Sequence, residues 1–503
     1  MATVDKICRL LDALPASNEP LSVLEELKLL IFATPPSSLK DVVPNVSFGS
    51  VFDCLNTDDG ELLQVSCDVL GRLLDGLNPQ AIYINFQSEM KRGLAHPLKP
   101  VKLLALSMLT RCGEACPDDL AHNEDLLLTT TQLLADDSLE VAKAASQALL
   151  QLGKTKEGLH AIYHGQVFSR LQEVLEKNDT CRYRVFKFVV DVCKLSPLGL
   201  EHSCQSGLLT QIINDLYKDD ILVQLNCLEL LTDLASVQHG LHYLDQQGVI
   251  SKLENMMGKM DEDPMGSLLL PGLIKVFGNI ARFHPKEVFE KYPTFMSLVF
   301  DLLSSSDVTL KAVAVETIGF VGREMEGKQA LEKLGDTMNK AVRQLGVIIK
   351  DSPADIRVKA LHAFAALMTL ELADQTTELL ALTESWFQHM APKPFEVLMS
   401  LSRQPFPDLR CATHSVYQAL ALQVWGQKLM NSDPGFKEYL LDRTTEHEKE
   451  GKEAKFETVR MLAESPTTKE TLGRPFYISV KEYYNEGPFY VKAQTEVAIE
   501  GGS

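Results

Sequence analysis

Apolar residues cover most of the circumference of several predicted helices in this chain. In the stretch RYRVFKFVVDVCK, valine, phenylalanine and cysteine dominate, and the polar residues form one narrow stripe. That stripe consists of Arg184, Lys187, Asp191 and Lys194, which recur at i, i+3, i+7 and i+10. A helix that is apolar on three sides must be packed between neighbouring elements. The pattern therefore predicts stacked helices, each of which leaves one exposed strip on a shared wall.

The same pattern returns along the chain at regular intervals. Before the C-terminal segment, no long stretch alternates strictly between apolar and polar residues, as a half-buried strand would. The long helices are predicted at residues 138–152, 181–194, 221–236, 268–283, 308–322, 355–370 and 408–423.

Three stretches of the chain repeat one another at a fixed spacing. Gly158, Gly199 and Gly240 stand 41 residues apart. Glycine ends helices because it adopts the left-handed conformation without penalty, and Asp or Asn caps the helix that follows. One unit therefore reads as short helix, glycine, second helix, acidic turn and long helix. The second glycines of the three units are Gly165, Gly207 and Gly248.

A period of about 40–47 residues made of two or three helices is typical of armadillo and HEAT repeats. Weaker copies extend the pattern to about nine units, with atypical first and last units that act as caps. The sequence predicts an all-α fold, an armadillo/HEAT-like α-solenoid wound into a right-handed superhelix. The predicted domains are degenerate helical repeats at 1–95, armadillo/HEAT-like repeats at 96–442, charged and solvent-facing cap helices at 443–475, and an aromatic-rich tail at 476–503.

Composition narrows the classes of function. The 503 residues carry a formal charge of −19, which disfavours nucleic acid and anionic membrane surfaces as partners. No apolar run approaches the roughly 20 residues of a membrane span, and the N-terminus carries charges where a signal peptide needs an apolar core. The ten cysteines lack any C-x-x-C pair, which indicates free thiols in a reducing compartment. We expect a soluble protein of the cytoplasm, with the nucleus also open.

The chain lacks the sequence motifs of catalysis. Neither a phosphate-binding glycine loop, nor H-E-x-x-H, nor G-x-S-x-G occurs. His160 and His164 stand at i, i+4 without a nearby carboxylate, and we interpret them as surface residues rather than metal ligands. Solenoids offer extended surfaces that suit binding. We expect no enzymatic activity, no metal and no cofactor.

Two polar stripes are candidates for binding a partner. Arg184 and Lys187 lie on one predicted long helix, and Lys275, Asn279 and Arg282 follow one another at i, i+4 and i+7 on another. Armadillo proteins that hold extended peptides use a repeated asparagine on this helix, and only Asn279 fits that feature here. The stripes mix charges of both signs. A folded partner is therefore expected rather than a basic peptide, and a merely solvated surface is the alternative.

The C-terminal tail is rich in aromatic residues, which are enriched at interfaces. Pro475 and Pro488 frame its aromatic part and are expected to disfavour one continuous helix. The stretch FYVK is β-prone and is expected to dock in an extended form. Four aromatics are expected to pack on a folded surface, either the final repeat or a partner: Tyr483, Tyr484, Phe489 and Tyr490.

Several short stretches together resemble a known family, and they occur in one order along the chain. They include RYRV at 182–185, LPGLIKVFGNIA at 270–281, EGKQAL at 326–331, LTESWF at 382–387, QPFPDLRCA at 404–412 and EGPFYVK at 486–492. The chain resembles the 26S proteasome non-ATPase regulatory subunit five family over nearly its whole length. The N-terminal ninety residues match least.

The resemblance implies a function that the residue pattern alone does not. It implies a non-catalytic assembly chaperone for the base of the proteasome regulatory particle. Members of the family bind one proteasomal ATPase subunit, in a module with a second ATPase and a large scaffolding base subunit, and leave before maturation. The alternative is an armadillo-type interaction scaffold or peptide adaptor unrelated to assembly.

Overall fold

The regular structure of the protein is helical throughout the part of the chain that the computed structural model describes, residues 2–43, 46–258 and 266–491. These ranges contain no strand. The chain divides into two compact units, Met1–Gln247 (unit 1) and Gly248–Ser503 (unit 2).

Unit 1 contains α-helices that vary in length from one turn to nearly five. They are α1 (Ala2–Ala13), α2 (Pro20–Ala33), α3 (Pro36–Val42), α4 (Gly49–Asp53), α5 (Gly60–Leu74), α6 (Pro79–Asn85), α7 (Gln87–Leu94), α8 (Lys99–Ala115), α9 (Pro117–Ala121), α10 (Glu124–Gln132), α11 (Leu139–Leu152), α12 (Lys156–Tyr163), α13 (Gly165–Lys177), α14 (Asp179–Leu195), α15 (Pro197–Gln205), α16 (Leu208–Asp215), α17 (Ile221–Leu234) and α18 (Gln238–Gln246).

Unit 2 continues the same alternation of shorter and longer helices. They are α19 (Val249–Gly258), α20 (Gly266–Phe283), α21 (Pro285–Lys291), α22 (Pro293–Leu302), α23 (Val308–Val321), α24 (Met325–Glu332), α25 (Asp336–Asp351), α26 (Ala354–Met368), α27 (Thr377–Met390), α28 (Pro394–Leu401), α29 (Pro407–Ala421), α30 (Val424–Ser432), α31 (Pro434–Leu441), α32 (Lys449–Glu464), α33 (Thr468–Leu472) and α34 (Arg474–Glu486).

Within each of the two units, every third α-helix packs on its counterpart three helices further along the chain. This series is α2, α5, α8, α11, α14 and α17 in unit 1, and α20, α23, α26, α29 and α32 in unit 2. We call its members the third helices. All seven predicted long helices belong to the series, and their observed ends agree with the predicted ends to within two residues. The prediction of an all-α solenoid of armadillo/HEAT type is confirmed.

Helix α14 shows why the third helices need neighbours on several sides. Its side chains at Val185, Phe188, Val189 and Val190 are fully buried. The helix begins after Asn178, whose side chain accepts a hydrogen bond from the Cys181 N–H at 2.8 Å and so satisfies one of the unpaired N–H groups at the helix start. The prediction of a helix that is apolar on three sides is confirmed.

The repeated first glycine lets the short helix of a repeat cross the end of the third helix before it. A Cβ atom at Gly199 would lie 2.5 Å from the carbonyl oxygen of Val192, in the last turn of α14. Only glycine fits there, because carbon and oxygen atoms do not approach so closely without strain. The same obstruction recurs at Gly158, Gly240, Gly327 and Gly426, against the carbonyl oxygens of Leu152, Leu234, Val321 and Leu420.

The second glycine of each repeat has a different role. Gly165, Gly207 and Gly248 adopt φ values of +64°, +78° and +65°. A residue with a Cβ atom is strained in this left-handed region, so glycine allows the chain to turn directly from the first helix of the repeat into the second. This left-handed conformation was predicted from the sequence and is confirmed.

Buried lysines tie neighbouring elements together in unit 2. The Lys328 ammonium donates to the carbonyl oxygens of Gly322 at 2.5 Å and Ala366 at 2.9 Å. Lys455 similarly donates to the carbonyl oxygens of Tyr439 at 2.5 Å and Asp442 at 2.6 Å. Burial lowers the pKa of each lysine to about 8. The carbonyl groups at helix ends lack intrahelical partners, and these ammonium groups donate the missing hydrogen bonds.

We predict that Gly199→Ala destabilises the protein by about 1–3 kcal/mol, the usual range for overpacking. At an ordinary helical position the same change would stabilise the helix by up to about 1 kcal/mol. Gly199→Ala is therefore expected to lower the stability of the protein, whereas the higher helix propensity of alanine alone would raise it. Thermal unfolding followed by circular dichroism measures it.

Gly60→Ala is the matched control, since a Cβ atom at Gly60 would meet nothing within 4 Å. If Gly199→Ala melts at or above the temperature of the Gly60→Ala variant, the close approach does not restrict this position.

Candidate partner-binding surface

We call the polar stripes of the third helices, taken within each unit, the groove face. Examples are Arg184, Lys187, Asp191 and Lys194 on α14 and Lys275, Asn279 and Arg282 on α20. Arg184 belongs to the stripe of α14, but its guanidinium points into the chain. Its Nη1 atom donates to the carbonyl oxygens of Leu134 at 3.1 Å and Asp136 at 2.7 Å. These carbonyls follow α10, in the preceding repeat. Arg184 therefore ties two repeats together, which the stripe pattern did not reveal.

Lys187 lies in a cluster of four charges that joins α14 to α17. Its Nζ atom is 2.6 Å from Asp191 Oδ1 and 3.1 Å from Asp233 Oδ2, and Lys194 Nζ is 4.0 Å from Asp233 Oδ1. Burial lowers the pKa of Lys187, but the hydrogen bonds to both carboxylates outweigh burial and raise it above its ordinary value. Positive and negative charges are thus balanced in this part of the groove face.

The stripe of α20 lies in unit 2 and is less completely paired. Lys275 is exposed and forms no ion pair with any residue in the described ranges. Asn279 follows one turn later and is half-buried. Arg282 packs over the ring of Phe320 at 5.2 Å and lies 4.0 Å from a carboxylate oxygen of Glu324. The structure thus joins the predicted α20 stripe to residues of α23 and the turn after it.

Two adjoining cavities open beside α23 and α26 in unit 2. Their volumes are about 250 Å³ and 750 Å³, and they share Arg323, His362 and Ala366. Phe320 lines the smaller cavity, and Gln418 of α29 lines the larger one. Sequence reasoning missed these five residues, because they come from three helices and one turn and together form no motif.

The segment from residue 443 onward continues the repeat stack. Helix α32 packs on α29 as α29 packs on α26, and its Lys455, Val459 and Leu462 are buried. This helix was expected to be a solvent-facing cap, whereas only one of its faces is exposed. Its charged residues lie on that exposed face, apart from the buried Lys455.

Helix α34 corrects the prediction for the aromatic tail. Pro475 does not interrupt this helix but occupies its first turn, where a missing N–H is harmless and the fixed φ suits a helix. The helix ends at Glu486, before Pro488. The expectation that the prolines disfavour a continuous helix is therefore wrong for the stretch between them. Residues 492–503, including the last residue of FYVK, lie outside the described residues.

The aromatic residues of α34 pack on the final repeat. Tyr483 is 5% exposed, and the Arg443 guanidinium lies 3.6 Å from its ring centroid. Arg443 also donates to the carbonyl oxygens of Gly487 at 2.7 Å and Tyr483 at 3.2 Å. Tyr484 stacks on Phe456 of α32 and donates to Glu464 at 2.9 Å. Of the two surfaces predicted for these tyrosines, the final repeat and a partner, both pack on the final repeat.

Phe489 and Tyr490 are placed differently from the tyrosines of α34. Phe489 is 52% exposed and Tyr490 is 43% exposed, and the Arg443 guanidinium lies 5.4 Å from the Tyr490 ring. They follow Gly487, which adopts a φ of +81° and turns the chain away from α34. Half of each ring therefore remains available, and contact with a partner stays a prediction for both.

The histidines noted in the sequence lie beside a third one. The rings of His160 and His164 stack at 4.3 Å, and His202 of α15 lies 6.0 Å from His164. Burial lowers the pKa of His202, and the two neighbouring imidazoles lower it further. Across the described ranges, no three His, Cys, Asp or Glu side chains are arranged to hold a metal ion.

None of the described helices is both long enough and apolar enough to cross a membrane.

The fold defines a helical-repeat protein of the α-solenoid class. Among solved structures, the chain is similar in fold to yeast importin-beta, with a TM-score of 0.58 over 92% of this chain and 63% of that one. The two sequences are 11% identical, so the likeness concerns the α-solenoid fold alone.

Comparison with protein families is more specific. The profile of the proteasome non-ATPase 26S subunit family matches residues 4–503, and the chain belongs to this family. The human protein named 26S proteasome non-ATPase regulatory subunit 5 is 37% identical over 485 residues, which cover 96% of each chain. Its bovine counterpart is 38% identical with the same coverage. The Drosophila melanogaster protein of that name is 25% identical over 90% of this chain and 89% of its own length.

We predict that Arg184→Ala lowers stability by about 2 kcal/mol, because two carbonyl groups lose a charged donor. A merely solvated Arg184, the alternative given for its stripe, would instead leave the melting temperature nearly unchanged. Lys275→Ala is the matched control, and an exposed change of this kind stays within about 0.5 kcal/mol. Equal melting temperatures for the two variants would mean that the Arg184 side chain contributes no more to stability than an exposed, solvated one.

We predict that Tyr483→Ala lowers stability by about 3 kcal/mol, as truncation of a buried aromatic ring usually does. The exposed Phe489 provides the comparison, and Phe489→Ala is expected to change stability by about 0.5 kcal/mol or less. Denaturant unfolding monitored by fluorescence measures both. A larger loss for Phe489→Ala than for Tyr483→Ala would contradict the packing described for α34.

Proposed function

We propose that this chain is a non-catalytic assembly chaperone for the base of the 26S proteasome regulatory particle. It binds a proteasomal ATPase subunit, in a module with a second ATPase and a large scaffolding base subunit, and it leaves before the particle matures. Membership of the proteasome non-ATPase 26S subunit family carries the proposal. The names of the relatives support a proteasome-associated role, and the chaperone step goes beyond those names.

The construction of the groove face supports a binding role. Third helices present polar side chains at each repeat, so the exposed surface is extended and a folded partner can meet it over many repeats. Lys275 and Arg282 of α20 lie on its less completely paired part in unit 2. Lys187 and Arg184 of unit 1 form internal ion pairs and hydrogen bonds, so any contact with a partner would have to share these side chains.

The proposed roles of the different parts of the chain follow the predicted domains. Residues 96–442 carry the partner-binding repeats, 1–95 form the degenerate N-terminal repeats, 443–475 close the stack, and 476–503 add the aromatic tail. We place the protein in the cytoplasm, and in the nucleus where regulatory particles are also assembled. Neither nucleic acid nor membrane is a proposed partner, in line with the charge of −19.

A second candidate is an armadillo-type interaction scaffold or peptide adaptor unrelated to proteasome assembly. The cavities beside α26 favour it, because a groove with pockets can hold an extended segment. A peptide adaptor that uses a ladder of asparagines would carry one on each third helix. The third helices of unit 2 carry only Asn279, which argues against an adaptor of this type.

Sedimentation separates the two candidates. The tagged chain is immunoprecipitated from lysate that has been fractionated on a glycerol gradient, and each fraction is probed for proteasomal ATPase subunits. A chaperone co-migrates with ATPase subunits in light fractions and is absent from fractions that hold the complete 26S particle. Stoichiometric presence in the complete particle would falsify the chaperone step.

We predict that Lys275→Glu weakens co-purification of ATPase subunits several-fold without lowering the melting temperature. Reversing one exposed charge at an interface changes affinity by about 1 kcal/mol, and the free chain loses no ion pair. Lys428→Glu, an exposed change on α30, is the matched control. Undiminished binding by Lys275→Glu would remove this residue from the interface.

A further inference from the structure

Unpaired cations lie along the groove face of unit 2 between α20 and α26. Lys359 of α26 pairs with Glu316 of α23 at 2.9 Å, and Arg282 lies 4.0 Å from Glu324. Lys275 and the exposed Arg323 form no ion pair within the described ranges. On a chain with a charge of −19, this local excess of positive charge identifies a place where a carboxylate is attracted.

Small residues line part of both cavities. A Cβ atom at Gly319 would lie 2.5 Å from the Ala363 Cα atom, so α23 and α26 approach each other closely there. Beyond this contact, the larger cavity is lined by Ala365, Ala366 and Ala419, together with the larger apolar residues Met325, Leu370, Leu422 and Met461. Its volume of about 750 Å³ accommodates several apolar side chains.

The larger cavity is also lined by residues of the opposite charge. They are Asp374, in the 3₁₀ turn Leu372–Asp374 between α26 and α27, and Glu371, directly before that turn. Neither carboxylate forms an ion pair with a described residue. From α20 to the turn after α26, unit 2 therefore presents the unpaired Lys275 and Arg323, apolar residues that line the cavities, and the unpaired Glu371 and Asp374.

We infer that this part of the groove face binds a protein segment in which acidic, apolar and basic residues follow one another. The acidic residues lie over Lys275 and Arg323, the apolar side chains fill the cavities, and a basic side chain meets Glu371 and Asp374. The inference deepens the proposed function, since it gives the chemistry of the segment that a proteasomal ATPase subunit would present. Complementary charges at both ends would also fix the direction of the bound segment and reject like-charged partners.

The dimensions set the length of such a segment. Packed helices lie about 8–10 Å apart, so the two steps from α20 over α23 to α26, which the acidic turn follows directly, span roughly 16–20 Å. An extended chain covers about 3.3 Å per residue, and a segment of about six residues bridges the whole row. Its acidic and basic ends are then separated by about four apolar or neutral residues.

Synthetic peptides test the inference with the full chain. Four fluorescein-labelled peptides of equal length are compared by anisotropy: acidic–apolar–basic, acidic–apolar–acidic, basic–apolar–basic, and acidic–Gly/Ser–basic. The first is expected to bind about tenfold more tightly than each of the others, on the scale of one or two well-placed ion pairs. Arg323→Glu should reverse the ranking in favour of the basic–apolar–basic peptide, and Lys428→Glu should leave it unchanged.

Two results overturn the inference. One is a flat ranking of the peptides, including the absence of binding up to about 1 mM, an affinity of only some 4 kcal/mol. The other is an unchanged ranking in Arg323→Glu. Co-purification of ATPase subunits is measured in parallel on the unmodified chain. If the subunits bind but the ranking is flat, the inference fails and the proposed function stands. If the ranking holds but no ATPase subunit binds, the proposed function fails instead.

Discussion

The approach of a glycine Cα to a backbone carbonyl oxygen is the constraint on which the repeat stack depends. At Gly199 the short helix α15 crosses the last turn of α14, and a side chain of any size would hold the two apart. Because the contact involves one residue, it fixes where the short helix starts relative to the third helix. Within each unit, the next third helix then leaves the repeat at the same place each time, and its polar stripe faces the same side. The groove face results from this repeated positioning of the third helices.

Long polar side chains complete the junctions that the glycines establish. A helix that ends against a neighbouring element leaves carbonyl groups without intrahelical partners. Arg184, Lys328 and Lys455 reach such carbonyls from neighbouring elements, and the neutral Gln427 does so at Ala421 with a distance of 2.8 Å. A positive charge near a helix C-terminus is also favoured by the helix dipole. Some cations of the stripes therefore hold repeats together before any partner is considered.

Much of the fold could be predicted from the sequence, because the signals are local. The third helices follow from apolar periodicity, and the 41-residue spacing of Gly158, Gly199 and Gly240 follows from a contact made once per repeat. The function of Arg184 could not be predicted, since its carbonyl partners lie about fifty residues earlier in the chain. Pro475 was misjudged because proline is harmful inside a helix but acceptable in the first turn. The cavities depend on which small residues meet across repeats, and periodicity does not encode that.

The buried ammonium groups have a consequence for the chemical behaviour of the protein. With a pKa of about 8, an appreciable fraction of Lys328 and Lys455 would carry a nucleophilic, neutral amine in mildly alkaline buffer. Both side chains are almost completely inaccessible to solvent, so an acylating reagent reaches them only when a junction opens. Repeat proteins open locally, with free energies that differ along the stack. The labelling rates of these two amines would therefore record, within one molecule, how often two separate junctions of unit 2 come apart.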